Sequence, residues 1–355
     1  MTPSLRLVAA LAVAAALLAG TACSGDDSAT DRKDATPTVT IVTYSSYVLD
    51  DKVKATIEQD LGVKIELRAN GDGAEALSAA ILTAGRPEGD IFFGVDNTLL
   101  TRAIDGKAFA ATAPADLPNL ADIPDDLQLD ASGRLVPIDV GPVCVDYDRQ
   151  WFTDHALQPP ASLRDLTKPE YRDLLVVESP VTSSTGLVFL MAVHSALGDD
   201  ATTFLKDLTA NGASVAGSWD DAWESQYTVS GGDRPLVVSY ASSPPAEVVY
   251  SEGKVTTPRT GVIEATCADQ IEFAGVLAGT DQPEAAAKVL NAMLGATWQA
   301  SLPLANFVYP ARPGLAEPDV FASFAPRPTS SIALDPTVIS DHRDAWIDEW
   351  RSIAE

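Results

Sequence analysis

From Val39 onward, short apolar runs alternate with stretches whose apolar residues recur every three to four positions. VTIVTY (39–44) predicts a strand, DDKVKATIEQDLG (50–62) an amphipathic helix, and VKIELRA (63–69) a second strand. The same grammar continues with a helix over AEALSAAILTAG (74–85), a strand over DIFFGVD (90–96), and a crossing strand in RLVPIDVGPVCVDYD (134–148). Such β-α-β alternation predicts parallel-sheet units with helices on their faces. A second group follows: LLVVES (174–179), a helix from Gly186 to Leu197, a helix around ATTFLKDLTANG (201–212), ASVAG (213–217) and the strand PLVVSYA (235–241). It predicts a separate α/β lobe. QIEFAGVLAG (270–279) then reads as a strand, and QPEAAAKVLNAMLGATWQASL (282–302) as one helix with Pro283 near its start.

The beginning of the chain follows a different rule. An apolar run from Leu5 to Ala22, carrying the single charge Arg6, ends in GTAC and is followed by Asp26 and Asp27. That run is too short for a comfortable membrane span and reads as a signal peptide over residues 1–22. Small residues before Cys23 suit lipoprotein processing, so Cys23 is the expected lipidated first residue; ordinary secretory cleavage nearby is the alternative. Ser24 to Pro37 contains no large apolar side chain, which predicts a flexible leash over residues 23–38. Roughly 315 residues remain, more than one core usually organises. Two lobes are expected.

Charge and cysteine content narrow the function. With 24 Lys and Arg against 50 Asp and Glu, the formal net charge of −26 disfavours nucleic acid and favours a cationic small ligand. Apart from Cys23, only Cys144 and Cys267 remain, and an oxidising compartment favours a disulfide between them over two buried thiols. The three histidines, His155, His194 and His342, lack metal-ligand spacing, and the serines of TSSTG (182–186) and YASSP (240–244) lack a nucleophile elbow. Neither a metal, a cofactor nor an enzyme activity is expected.

What the strand ends do carry is hydroxyls, carboxylates and aromatic rings, where open α/β sheets bind ligands. Tyr44 ends the first strand, Asp72 and Gly73 open a helix, and Asp96 ends the third strand. Ser183 and Ser184 stand at a helix start, while Trp219, Trp223, Tyr240, Phe307 and Tyr309 offer flat surfaces, Trp223 and Tyr309 equally as packing residues.

The segments VTYSSY, NGDGAEAL, DIFFGVDNTLL, LVPIDVGPVCVDYD, SPVTSSTGL, SWDDAWE, LVVSYASSP, LANFVYPA and AWIDEW occur in an order that resembles the substrate-binding proteins of ABC importers, and specifically their thiamine-binding members. The resemblance runs from Val39 to the C-terminus and implies a type II, two-lobed periplasmic-binding-protein fold with ligand in the interlobe cleft. Residues 39–138 with 265–305 would form lobe one, and 139–264 with 306–355 lobe two, hinged near 135–142 and 260–266. By position, the resemblance puts aminopyrimidine against Trp219 and Tyr240 with Ser242 at its polar edge, and thiazolium near Tyr44 and Asp96. Asp72, Gly73, Ser183 and Ser184 would lie at the hydroxyethyl or phosphate end. At least one of Asp72, Asp96 or Asp139 should stand close to the buried cation. Phe307 replaces a tryptophan of known relatives and Ala246 a tyrosine, each lost stacking pair being worth about 0.5–1.5 kcal/mol. The implied protein is an extracytoplasmic monomer, held to the membrane by lipid alone, that passes thiamine or a thiamine phosphate to a permease. A polyamine binder of the same fold, a secreted serine hydrolase and a ligand-sensing lipoprotein are the rival readings.

Overall fold

The computed structural model describes residues 36–354; the apolar run, Cys23 and most of the expected leash lie outside the described residues. From Pro37 onward the chain forms one compact unit. Nine strands make one sheet: β1 (Thr38–Thr43), β2 (Lys64–Ala69), β3 (Ile91–Asp96), β4 (Val136–Asp148), β5 (Leu175–Glu178), β6 (Ser214–Ala216), β7 (Leu236–Tyr240), β8 (Thr260–Val276) and β9 (Tyr309–Pro310). Their order is β2-β1-β3-β8-β4-β7-β5-β6, with β9 paired to β4.

Pairing is parallel at the two flanks, where helical crossovers return the chain in the same direction: β1 with β2 and β3, and β5 with β6 and β7. The centre is different. β4 and β8 run antiparallel to each other along almost their whole length, β8 also pairs antiparallel with β3, and β4 with β7. Expectations of mostly parallel sheets therefore hold at the flanks and fail in the middle. The segments expected as hinges, 135–142 and 260–266, belong to this central ribbon. The run expected as a strand over 270–279 is the second half of β8, which begins at Thr260.

Burial follows the apolar pattern. β3 is buried at every position, as a strand covered on both faces requires. Helix Ser184–Leu197 is buried from Ser184 through His194, and its apolar STGLVFLMAVH sequence accounts for that central place. Helix Asp51–Leu61, by contrast, buries only Ile57; Asp50 caps its start and Gly62, in the left-handed conformation, ends it.

The helix expected over 282–302 is three pieces, Pro283–Met293, Ala296–Gln299 and Leu302–Ala305. Its amphipathic period is sound up to Met293, after which the turn at Leu294 and Gly295 buries Trp298 completely. The side-chain amide of Gln299 donates to Met293 O at 2.8 Å, satisfying a carbonyl the break leaves free, and to Ile138 O on β4 at 2.9 Å, which ties the broken end to the sheet. Periodicity alone carries no trace of such a tertiary bond.

The sulfur atoms of Cys144 and Cys267 are bonded across the β4–β8 ribbon, in a pocket with Ala241 and Val262. They sit where the register of the ribbon shifts between Val143 and Val145. No described helix is long and apolar enough to cross a membrane.

Candidate functional site

Four chain segments converge beside the central ribbon. The turn after β1 brings Tyr44, the start of helix Gly73–Leu82 brings Asp72 and Gly73, the head of helix Ser184–Leu197 brings Ser184, and a π-helical turn at Asp221–Gln226 follows Trp219. They surround a cavity of about 240 Å³, room for one small molecule.

Seven of the ten residues singled out from sequence line it: Tyr44, Asp72, Gly73, Ser184, Trp219, Tyr240 and Phe307. Three do not. Asp96 is fully buried behind the wall, where its Oδ1 accepts from the backbone N–H groups of Thr98 and Leu99 and its Oδ2 from the Gln270 side-chain amide. Ser183 caps its helix by accepting from Gly186 N, and Ser242 is buried away from the cavity. Ser183 and Ser242 are chain neighbours of the lining residues Ser184 and Ser243, whereas Asp96 meets the cavity wall only as the register partner of Glu272. Tyr309 is also packing, with its hydroxyl donating to Ala325 O and its ring under Arg327.

The aromatic wall is ordered. Trp219 and Trp223 stack with planes 11° apart and centroids 5.7 Å apart, and Tyr240 lies 6.3 Å from Trp219. Trp219 Nε1 donates to Ser239 Oγ at 3.0 Å, and Ser239 in turn pairs with Ser243 Oγ at 2.9 Å. Tyr250 meets Phe307 edge-on at 5.5 Å. Phe307 holds a positive φ of 52°.

Asp72 clasps the site. One oxygen accepts from Gly73 N at 2.6 Å and Ser184 N at 3.4 Å, the other from Trp219 N at 2.9 Å. Burial pushes its carboxyl up, and these N–H donors pull it back. A side chain at Gly73 would place its Cβ 2.3 Å from Ser184 Oγ, so glycine allows this close approach. Ser45 Oγ donates to Asp220 Oδ2 at 2.9 Å, a second bond across the same cleft.

Sequence reasoning missed Glu272. It stands on β8, lines the cavity while only 4% exposed, and accepts from the Tyr44 hydroxyl at 3.0 Å. Its only sequence cue is the acidic residue in the apolar run QIEFAGV. Asp139 is its partner on β4, and no base lines the cavity: four carboxylates, Asp72, Asp220, Glu224 and Glu272, face it with no Lys, Arg or His. Such a site stabilises positive charge and stacks flat rings. No group of His, Cys, Asp or Glu that could hold a metal ion occurs among the described residues.

Residues 87–330 match the family model for bacterial extracellular solute-binding proteins. The chain belongs to that family. The solute-binding protein is 29% identical to the thiamine-binding periplasmic protein of Salmonella typhimurium, over 89% of this chain and 93% of the relative. Its counterpart in Escherichia coli is 28% identical over the same shares. A solved periplasmic thiamin binding protein superposes with a TM-score of 0.78 at 25% identity, covering 90% of this chain and 97% of the other. An iron-bound HitA from Pseudomonas aeruginosa has a TM-score of 0.71 at 19% identity, with 90% and 100% covered, a likeness of fold. This is the type II periplasmic-binding-protein architecture, and the role of this member is solute binding outside the cytoplasm.

Proposed function

We propose that this protein captures thiamine and hands it to the permease of an ABC importer. The carrying observation is the cavity lining itself, six aromatic rings and four carboxylates without a base. Thiamine combines a flat aminopyrimidine with a permanently charged thiazolium, so ring faces and buried carboxylates suit its two halves. Relatives named as thiamine-binding periplasmic proteins, aligned over 89% of the chain, support the same ligand.

Free thiamine fits better than its phosphates. The donors that an anionic tail would need, Ser184 N and Trp219 N, already serve the Asp72 carboxylate, and the remaining lining would repel phosphate. Trp219, Tyr240 and Tyr44 serve as the stacking surfaces in this reading, with Glu272 joining Asp72 in the counter-charge role expected of at least one of Asp72, Asp96 or Asp139. Asp72 bridges residues 39–138 with 265–305 to residues 139–264 with 306–355, so bonds across the cleft form only when these two lobes close. Export by the 1–22 segment and lipidation of Cys23 would hold a monomer at the membrane surface, and ligand would leave chemically unchanged.

Isothermal calorimetry with thiamine, its mono- and diphosphate, and spermidine tests the reading. Free thiamine is expected to bind most tightly and to be recovered intact by mass spectrometry. Absence of heat with thiamine, or tighter binding of spermidine, would overturn it.

A further inference from the structure

The floor of the cavity holds more acidic groups than its surroundings can keep ionised. Glu272 is the register partner of Asp96 on β3 and of Asp139 on β4, so three carboxyl groups stand abreast across β3, β8 and β4. Directly opposed residues share one face of a sheet with Cβ atoms about 4.5–5.5 Å apart, and like charges so placed repel. Exposure is 0% for Asp96, 4% for Glu272 and 1% for Asp139.

Their partners are unequal. Asp96 has the backbone, hydroxyl and amide donors of Thr98, Leu99 and Gln270 and can remain a carboxylate. Glu272 has the Tyr44 hydroxyl and Asp139; Asp139 has Glu272, and its Oδ1 lacks any hydrogen-bond partner. The groups facing the pair are Tyr44 and Tyr47 after β1, Asp72 at the head of helix Gly73–Leu82, Asp96 on β3 and Tyr240 at the end of β7. Across the cavity stand Asp220 and Glu224. None of these is a cation, and two buried carboxylates in contact without a counter-ion cannot both be charged.

We propose that Glu272 and Asp139 share one proton while no cation occupies the cavity, and that a cationic ligand displaces this proton and pairs with the carboxylate it leaves. The O–H bond breaks, the proton passes to solvent, and the ligand's positive charge takes its place, so the buried net charge is unchanged. Glu272 thereby becomes the residue that distinguishes a cation from a neutral ring of the same shape. The exchange rests on the thiamine reading above. Burial, and after it the charge of Glu272, raises Asp139 well above the usual carboxylate range, and burial with Asp96 and Asp72 nearby raises Glu272 too, so the unliganded pair keeps a proton near neutrality. A bound cation lowers the pKa of the pair. Affinity therefore rises with pH through the range in which the unliganded pair loses its proton and falls toward acid, by up to about tenfold per pH unit.

The test is calorimetry of thiamine binding near pH 7 in two buffers of different protonation enthalpy. About one proton released per thiamine is expected. Asp139→Asn leaves in place the burial and the Asp96 and Asp72 carboxyls that raise Glu272, so it is expected to bind thiamine and still to release a proton from Glu272. Glu272→Gln should lose at least about tenfold in thiamine affinity, release no proton, and bind the neutral analogue thiochrome as the parent protein does. A cooperative thermal melt for each variant guards against misfolding. Thiamine bound with no proton released and with flat affinity between about pH 6 and 8 overturns the exchange alone. No thiamine binding at all overturns the proposed ligand and the exchange with it.

Discussion

Trp219 does three things at once. Its ring extends the stack begun by Trp223, its Nε1 is tied to Ser239, and its backbone N–H is held by Asp72. A ring fixed on three sides loses little freedom when ligand arrives, which is why a single indole can dominate affinity. Trp219→Ala is expected to weaken thiamine binding by about 2 kcal/mol or more through lost buried aromatic area, with most of the tryptophan fluorescence quenching gone. Trp219→Phe keeps a ring but leaves Ser239 without that donor, and should fall between the two. Fluorescence titration of both variants checks this, and equal affinity in all three proteins would remove Trp219 from the pocket. Glycine matters at the same scale. Gly94, at φ 113°, lies against the Tyr44 ring, where a Cβ would come within 2.6 Å of Cδ1. Tyr44 can therefore reach Glu272 only because position 94 has no side chain.

At the scale of elements, the central ribbon is the decisive piece. β4 and β8 pair along registers reaching from Val136–Ala274 to Asp148–Thr260, and between them they contact β3 on one side and β7 on the other. The Cys144–Cys267 bond, spanning 123 residues of sequence, pins this ribbon at its irregular point. Crosslinks that close long loops restrict the unfolded chain most, so reduction or Cys144→Ala is expected to cost about 2–4 kcal/mol of stability. Chemical denaturation of the oxidised and reduced protein gives this value directly. Identical midpoints, or two free thiols in the untreated protein by intact mass, would contradict it. The same ribbon carries Asp139 and Glu272 side by side, so the element that joins the halves of the sheet also carries the charge of the cavity.

For the molecule as a whole, the proposed closure of two lobes would hang on few bonds. Asp72 with Ser184 N and Trp219 N, Ser45 with Asp220, and the Glu75 N–H donated to Thr182 O at 3.1 Å span the cleft. Charge-assisted hydrogen bonds to backbone N–H groups are worth about 1.5–3 kcal/mol, enough to decide between two arrangements of similar energy. Asp72→Ala is thus expected to increase the radius of gyration in small-angle scattering and to weaken thiamine binding by about tenfold or more. Saturating thiamine should restore compactness in the variant. A radius unaltered by the substitution and by ligand would show that Asp72 is no clasp.

Much of this protein is determined by local pattern. Strands such as DIFFGVD, the capped helix after Asp50, the aromatic and hydroxyl character of the strand ends and the acidic balance all follow from residue type and spacing, because burial periodicity and capping act over a few neighbours. The tertiary structure alone decided the break after Met293, the continuity of β8 from Thr260, the withdrawal of Asp96 and Ser242 from the cavity, and the meeting of Glu272 with Tyr44 and Asp139. Several of those outcomes depend on partners more than 100 residues away in the chain, such as Tyr44 and Glu272 at a separation of 228 and Asp96 and Gln270 at 174. The direction of a side chain at a strand end and the dielectric around it are set by such partners, and no short window of sequence contains them.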